Sequence, residues 1–383
     1  MAYFRWILIL AALAAWVLAG WIASHQSASP EVLGRYSIEY FAVVMFVTVC
    51  AVSLSVAPLG GVYRRVYARA AKLFLLMGST LVALLLSELV IRYLDPLGMV
   101  YYADLARYVA DLIDDPDLGY AHRPGLETTH YGAKASYNSL GLRDREFGEK
   151  DADEFRVMVL GDSVAYGIGV EVEETFARRL EPLLGEWLGR PVRTLNTGVA
   201  SYNTAQELAS LRKFGQLSPD LVVLLITNND VMSASLMQPR EPSPADRLAS
   251  VIGTSWLFRA VAHTFYVFNP PEMQVDRDSK SWRSSLSALE QIGAYCQARD
   301  IGFATFLWRR NPTRLTDALL SDLEAAGERG SFAVVDVMPW FEGPGLRRTR
   351  NSPVDSHPNA FGHEILAKGI AQSVLDAGLL PSQ

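Results

Sequence analysis

The chain has 383 residues, half of them hydrophobic, with two cysteines and a formal net charge of −6. That length allows a full core, and this much apolar mass exceeds what an ordinary soluble domain uses, so part of it is expected outside a core. The acidic balance argues against nucleic acid as a partner, and two distant cysteines, Cys50 and Cys296, exclude a disulfide framework and a CxxC metal site.

Trp6 to Ala23, Tyr40 to Val56 and Leu73 to Val90 are each about long enough to cross a hydrocarbon core as helices. Three transmembrane helices are therefore expected in a membrane anchor over residues 1–95. The first also resembles a signal peptide, since Arg5 precedes an apolar run, but that run is longer than the usual signal core. Arg64, Arg65, Arg69 and Lys72 join the second and third spans, which assigns that loop to the cytoplasm and everything after Leu94 to the outside. Cleavage of the first span leaves this orientation unchanged. The expected protein is a multi-pass inner-membrane protein with an extracytoplasmic, periplasmic carboxyl-terminal domain. Glu88 and Arg92, four apart near the outer end of the third span, are spaced to pair in a structural role.

Residues 96–150 turn polar and read as an extracytoplasmic neck. A helix is expected from Tyr102 to Ile113, a loop at Asp114 to Asp117, and a small β decoration between Glu127 and Arg143. His122 and His130 in this stretch are expected at the surface.

From Phe155 onward apolar strand patterns alternate with helical ones. Phe155 to Leu160, Val192 to Leu195, Leu221 to Ile226, Phe303 to Leu307 and Phe332 to Val337 read as strands. Glu173 to Leu188, Thr204 to Phe214, Ser281 to Ala298, Leu315 to Ala326 and Ala360 to Ala377 read as helices. This alternation predicts an α/β domain with a doubly wound parallel sheet over residues 151–383. Residues 231–275 are too long for a connection and read as an insertion. Its Leu248, Val251, Ile252, Trp256, Leu257, Phe258, Val261, Phe265 and Phe268 make an apolar surface suited to a lid, an acyl-binding wall or a lipid interface, or simply to covering the sheet.

The candidate polar groups fall where strands end, which is where open α/β sheets bind ligands. Ser163 follows the first strand, Asn196-Thr197-Gly198 the second and Asn228-Asn229-Asp230 the third, and Asp355-Ser356-His357 lies beyond the last. The strand-turn-helix pattern alone leaves Ser163 either a nucleophile or the N-cap of the next helix. Acyl transfer at a serine needs a base, an acid to orient that base, and donors for the developing oxyanion, and these groups can fill all three roles. Gly198 lacks a Cβ, so its N–H can approach an oxyanion closely, and the Asn229 amide offers another donor. His363, inside the last helix pattern, is expected to pack or cap, while Asp162 and Asp230 are expected to accept structural hydrogen bonds.

Gly161-Asp162-Ser163, then Gly198, then Asn229-Asp230, then Asp355 with His357-Pro358 resemble the four blocks of the SGNH, or GDSL-type, esterase and lipase family, over about Phe155 to Gly378. Asn138 to Arg143 is similar to a stretch that precedes the first block in membrane-anchored bacterial members. The resemblance implies a three-layer flavodoxin-like fold and serine hydrolysis with neither cofactor nor metal. It also implies Ser163 as nucleophile, His357 as base, Asp355 as its orienter, and oxyanion donors from Ser163 N–H, Gly198 N–H and Asn229. The GxSxG elbow of the α/β-hydrolases is absent. Two departures stand out: Thr227 occupies a place where the family commonly has glycine, and Val354 occupies the usual place of the acid, with Asp355 only two before the histidine. The implied activity is hydrolysis of O-acyl esters of an envelope or exported polysaccharide, or of a lipid. An O-acyltransferase using the same residues is the alternative. A catalytically silent binding module is a third, which has no need of all four blocks together.

Overall fold

The computed structural model describes residues 2–24, 36, 38–56, 63–231, 254–268, 277–309 and 313–381. They form two compact units, Met1–Ser87 and Glu88–Gln383. The first holds α1 (Ala2–Ser24), α2 (Ile38–Val56) and most of α3 (Tyr63–Leu94). Among the described residues one helical stretch, Lys72–Leu94 with 23 residues, is long and apolar enough to cross a membrane by length and composition, and Ile9–Ser24 and Tyr40–Val56 are shorter apolar helices. The Trp16 indole N–H donates to Ser55 Oγ at 2.9 Å, tying α1 to α2.

The second unit is built on a five-stranded parallel sheet of β5 (Phe155–Gly161), β6 (Val192–Asn196), β7 (Leu221–Thr227), β8 (Gly302–Trp308) and β9 (Ala333–Asp336), in the order β6-β5-β7-β8-β9. All seven residues of β5 and of β7 are buried, as expected of parallel strands covered on both faces. The strand period divides them cleanly. Val157 and Val159 join the core under α6 (Phe176–Leu188) and the last helix, α11 (Ala360–Asp376). Met158 and Leu160 join the core under α7 (Thr204–Phe214), α9 (Lys280–Gln297) and α10 (Arg314–Gly330). This is the three-layer arrangement expected. Because β6 lies on one side of β5 and β7 on the other, the chain reverses direction across the sheet there, and the crevice at such a reversal is the natural binding site.

The neck departs from expectation in two ways. After α4 (Val100–Asp111), the acidic stretch read as a loop is part of a hairpin: Asp114 and Asp115 end strand β1 (Leu112–Asp115), and residues 116–118 turn into β2 (Gly119–His122). Asp115 Oδ1 accepts from Asp117 N–H and Leu118 N–H, each at 3.0 Å, so the carboxylate builds the turn. The expected β decoration is a second hairpin, β3 (Glu127–His130) with β4 (Ala133–Ser136). The second departure corrects the surface placement of His122 and His130, both of which are buried. Tyr108 OH lies 2.7 Å from His122 Nε2, Asp111 Oδ2 2.8 Å from His130 Nε2, and Tyr137 OH 3.1 Å from His130 Nδ1. Seven core residues from 108 to 137, four of them tyrosines, share one cluster with Tyr166, Ile168, Val199, Ala200 and Tyr202, so the neck packs directly on the loops that carry the site.

Of the apolar insertion residues, Trp256, Leu257, Phe258, Val261, Phe265 and Phe268 fall on α8 (Trp256–Phe268). Leu248, Val251 and Ile252 lie outside the described residues.

Candidate active site

Gly161 ends β5 at φ +152°, and a Cβ there would stand 2.8 Å from Ala165 Cβ and 3.0 Å from Leu225 O, so the turn into the next helix requires glycine. Asp162 then caps the short helix α5 (Ser163–Tyr166), its Oδ1 accepting from Val164 N–H at 3.0 Å. The cap belongs to Asp162, which leaves Ser163 free of that duty. Ser163 Oγ lies 2.8 Å from His357 Nε2, and His357 Nδ1 lies 2.6 Å from Asp355 Oδ1. The same carboxylate oxygen accepts His357 N–H at 3.0 Å, so Asp355 holds both the backbone and the ring of the histidine. Its other oxygen accepts from Asn351 Nδ2 at 2.9 Å, and that amide also donates to Ile168 O at 2.8 Å, anchoring the loop to the segment after Ser163. The short spacing between Asp355 and His357 is thus compatible with a side-chain bond, because residues 351–357 close on themselves: Asn351 N–H donates to His357 O at 3.0 Å and Ser352 N–H to Asp355 O at 3.1 Å.

The loop after β6 passes this turn, with Val199 N–H donating to Gly161 O at 3.3 Å. Here the expected oxyanion donor, Gly198 N–H, already has an acceptor within the loop. Gly198 N–H donates to Asn196 Oδ1 at 3.0 Å. Glycine is required there for another reason, since a Cβ would stand 2.4 Å from Tyr166 N. Thr197, Val199, Ala200, Tyr202 and Asn203 N–H groups all donate within the protein as well. Ser201 is the exception: among the described residues its N–H has no acceptor, and its φ of +64° is the left-handed conformation that glycine adopts most easily. A serine at positive φ carries no sequence signal of its own. Ser163 N–H, first in α5, has no acceptor within its helix either. Asn229 Nδ2 donates one hydrogen to Asp162 Oδ2 at 2.8 Å, leaving its second for another acceptor.

With this geometry in place, the comparison with known families is decisive. The model of the GDSL-like lipase/acylhydrolase family matches residues 159–365. The chain belongs to that family. It is an ester-hydrolysing serine hydrolase. Similar solved structures include that of TesA, at 16% identity over 58% of this chain and 99% of that one, with a TM-score of 0.40. The lipase/acylhydrolase from Enterococcus faecalis is similar at 15% identity over 60% and 99%, with a TM-score of 0.39. The psychrotrophic esterase EstA from Pseudoalteromonas sp. is similar at 14% identity over 58% and 97%, with a TM-score of 0.37. Among curated proteins, no sequence matches the chain.

In this GDSL-like acylhydrolase the residues beneath the serine form a buried acidic cluster. Thr227, where the family commonly has glycine, fills the space with a hydroxyl 2.9 Å from Asp162 Oδ2 and in short contact with Asn229 Oδ1. Asp230 accepts Thr227 N–H at 2.7 Å and Thr204 Oγ1–H at 3.2 Å, the structural role expected of it. Glu207 on α7 lies fully buried next to it, and burial together with Asp230 pushes its carboxyl well above the usual carboxylate range, while burial raises Asp230 too, to about 8. His363 accepts Phe176 N–H at Nδ1, 3.1 Å away, and burial lowers it to about 3; it packs and caps, as expected.

Two further residues bear on the site. Arg143 is buried and donates to four carbonyls: Tyr166 O and Gly167 O through Nη1 at 3.2 and 2.9 Å, Lys134 O and Val170 O through Nη2 at 2.6 and 2.8 Å. It staples the neck to the segment after Ser163. Tyr101 on α4 packs on His357 with ring centres 6.0 Å apart. A cavity of about 400 Å³ opens beside Asp355, with Asp95, Pro96, Val100, Tyr101, Tyr131 and Asn351 among its walls. A larger hollow of about 590 Å³ lies at the opposite strand ends, near Phe155, Asp220 and Gly302, and contains none of the site residues. Among the described residues no group of three or more His, Cys, Asp or Glu side chains is placed to hold a metal ion.

Proposed function

We propose that this acylhydrolase is a membrane-tethered extracytoplasmic serine esterase that removes O-acyl groups from an envelope or exported polysaccharide, or from a lipid. The observation that carries the reading is the continuous hydrogen-bond chain Ser163–His357–Asp355, at 2.8 and 2.6 Å, in a member of an acylhydrolase family. In the proposed reaction Ser163 Oγ attacks the ester carbonyl while His357 Nε2 takes its proton. Asp355, bonded to Nδ1, fixes the ring and stabilises the imidazolium that results. Ser163 N–H and the second hydrogen of Asn229 Nδ2 are assigned to the oxyanion, each worth about 3 kcal/mol to the transition state, with Ser201 N–H as the candidate third donor. The imidazolium then protonates the departing alcohol, and the acyl-serine is released by a water that His357 deprotonates in turn. Tethering rests on the Lys72–Leu94 segment together with the apolar helices α1 and α2, which we take as a three-helix anchor.

The full chain in detergent, assayed on short aryl esters and labelled with a fluorophosphonate, tests this. Ser163→Ala is expected to abolish labelling, and Ser163→Ala, His357→Ala and the double variant are each expected to lose several orders of magnitude in turnover, because the residues act as a unit. Wild-type labelling and turnover in Ser163→Ala would sink the mechanism.

A further inference from the structure

Glu88 lies in the last two turns of α3, and its carboxylate caps the start of α8. It accepts Ser255 Oγ–H at 2.9 Å, Trp256 N–H at 3.0 Å and Leu257 N–H at 2.8 Å. A carboxylate at a helix amino terminus is favoured both by the orphan N–H groups and by the helix dipole. Arg92 pairs with Glu88 at 3.0 Å, donates to Thr254 O at 2.9 Å, and holds its guanidinium 5.9 Å from the centre of the Trp256 ring. The insertion helix therefore begins where the apolar Lys72–Leu94 segment ends.

The two faces of α8 differ. Ala260 is buried, and His263, one turn on, bonds Tyr102 OH through Nδ1 at 2.9 Å. Phe258, Val261 and Ala262, spaced to share the other face, are exposed, the first two at 49% and 61%. At the end of α3, Tyr93 and Leu94 are exposed too, Tyr93 at 89%. Single exposed apolar residues are ordinary. These adjoin a segment whose length and composition suit hydrocarbon, and an apolar helix face beside an aromatic and an arginine at a span's end is the composition of a lipid interface.

We propose that α8 lies in the outer lipid interface as an extension of the α3 span, with Phe258 and Val261 at the acyl boundary, so that the site works on esters presented at a bilayer surface. The inference rests on α3 crossing the membrane. The link to the chemistry runs through α4: Tyr102 holds α8, its neighbour Tyr101 packs on His357, and the cavity beside Asp355 begins at Asp95 and Pro96, the residues that follow α3.

The test uses the full chain with Cys50→Ser, carrying one bimane-labelled cysteine in place of Phe258, Val261, Leu81 or Lys368. Each is reconstituted in phosphatidylcholine–phosphatidylglycerol vesicles with or without brominated acyl chains, and hydrolysis of a soluble aryl ester reports that each variant is folded. Bromolipid quenching at 258 and 261 at least threefold above that at 368 is the expected result. Quenching at Leu81→Cys without quenching at 258 or 261 overturns the interfacial helix and leaves the span standing. No quenching at Leu81→Cys overturns the span and the inference with it. A blue shift at 258 that grows with protein-to-lipid ratio, without bromolipid quenching, assigns the face to a second copy of the chain and overturns the proposal.

Discussion

Ser201 illustrates how a single backbone angle separates two readings of the same loop. Gly198 was the legible candidate because glycine is visible in a sequence, whereas the left-handed turn at Ser201 appears only once the chain is folded. If its N–H serves the oxyanion, Ser201→Gly should keep full turnover and gain up to about 1 kcal/mol, since glycine tolerates positive φ without strain. Ser201→Val, which resists that conformation, should lower kcat tenfold or more with little change in KM; wild-type kcat in the valine variant would remove Ser201 from the oxyanion site. Buried titratable groups set the pH limits of the fold in opposite directions. His363 and His122, each lowered to about 3 by burial from an ordinary 6.5, leave the unfolded chain binding more protons as pH falls. Their stability contribution is complete above about pH 6.5 and drains toward pH 3, by at most ~1.4 kcal/mol per pH unit for each. Glu207 is raised from an ordinary 4.5 and its neighbour Asp230 from 3.8 to about 8, so their joint contribution is complete below about pH 4 and is lost as pH rises. Urea midpoints of the full chain between pH 4 and 9 should therefore fall at both ends, and Glu207→Gln should flatten the alkaline side while leaving the acidic side unchanged. An alkaline side as steep as wild type would show that Glu207 does not carry this dependence.

At the scale of elements, what the sequence disclosed follows from burial. Strands β5 and β7 are covered on both faces and read as unbroken apolar runs, so their ends, and with them Ser163 and Asn229, were placed correctly by pattern alone. The four-residue strands β1 and β2 carry Asp114, Asp115 and His122, and polar residues in so short a strand leave no alternation to detect. His122 and His130 were misplaced for a related reason: the tyrosines that bury them come from separate segments, and lone histidines give no sign of such partners. Arg143 lay within a recognised stretch, yet its duty depends on four carbonyls that only tertiary folding assembles. Because those carbonyls lose their donors and the site loop loses its staple, Arg143→Ala should destabilise the domain by roughly 3 kcal/mol. Arg143→Lys should recover only part of this, because an ammonium cannot reproduce the planar fork. Thermal unfolding followed alongside turnover decides it, and equal melting temperatures for Arg143→Ala and wild type would refute the staple.

For the whole molecule, on the proposed three-helix anchor, the orientation of the site relative to the membrane decides which substrates it can meet, and charge sets that orientation. Arg64, Arg65, Arg69 and Lys72 lie within nine residues of one another between the second and third apolar stretches, and Arg5 precedes the first, whereas the intervening 24–39 loop carries only Arg35. Positive charge flanking short loops is retained in the cytoplasm, so three crossings would put the amino terminus inside and residues after Leu94 outside. The prediction is that the full chain fused at its carboxyl end to alkaline phosphatase, which is active only after export, gives active enzyme, and fused to a fluorescent protein that matures only in the cytoplasm gives a dark cell. Replacing Arg64, Arg65, Arg69 and Lys72 with alanine should convert this to a mixed population, because the bias against translocation of that loop is then removed while Arg5 still marks the amino terminus. A dark phosphatase with a bright fluorescent fusion would instead confine the hydrolase to the cytoplasm, and the ester it cleaves could not then be carried on an exported glycan or an outer-leaflet lipid.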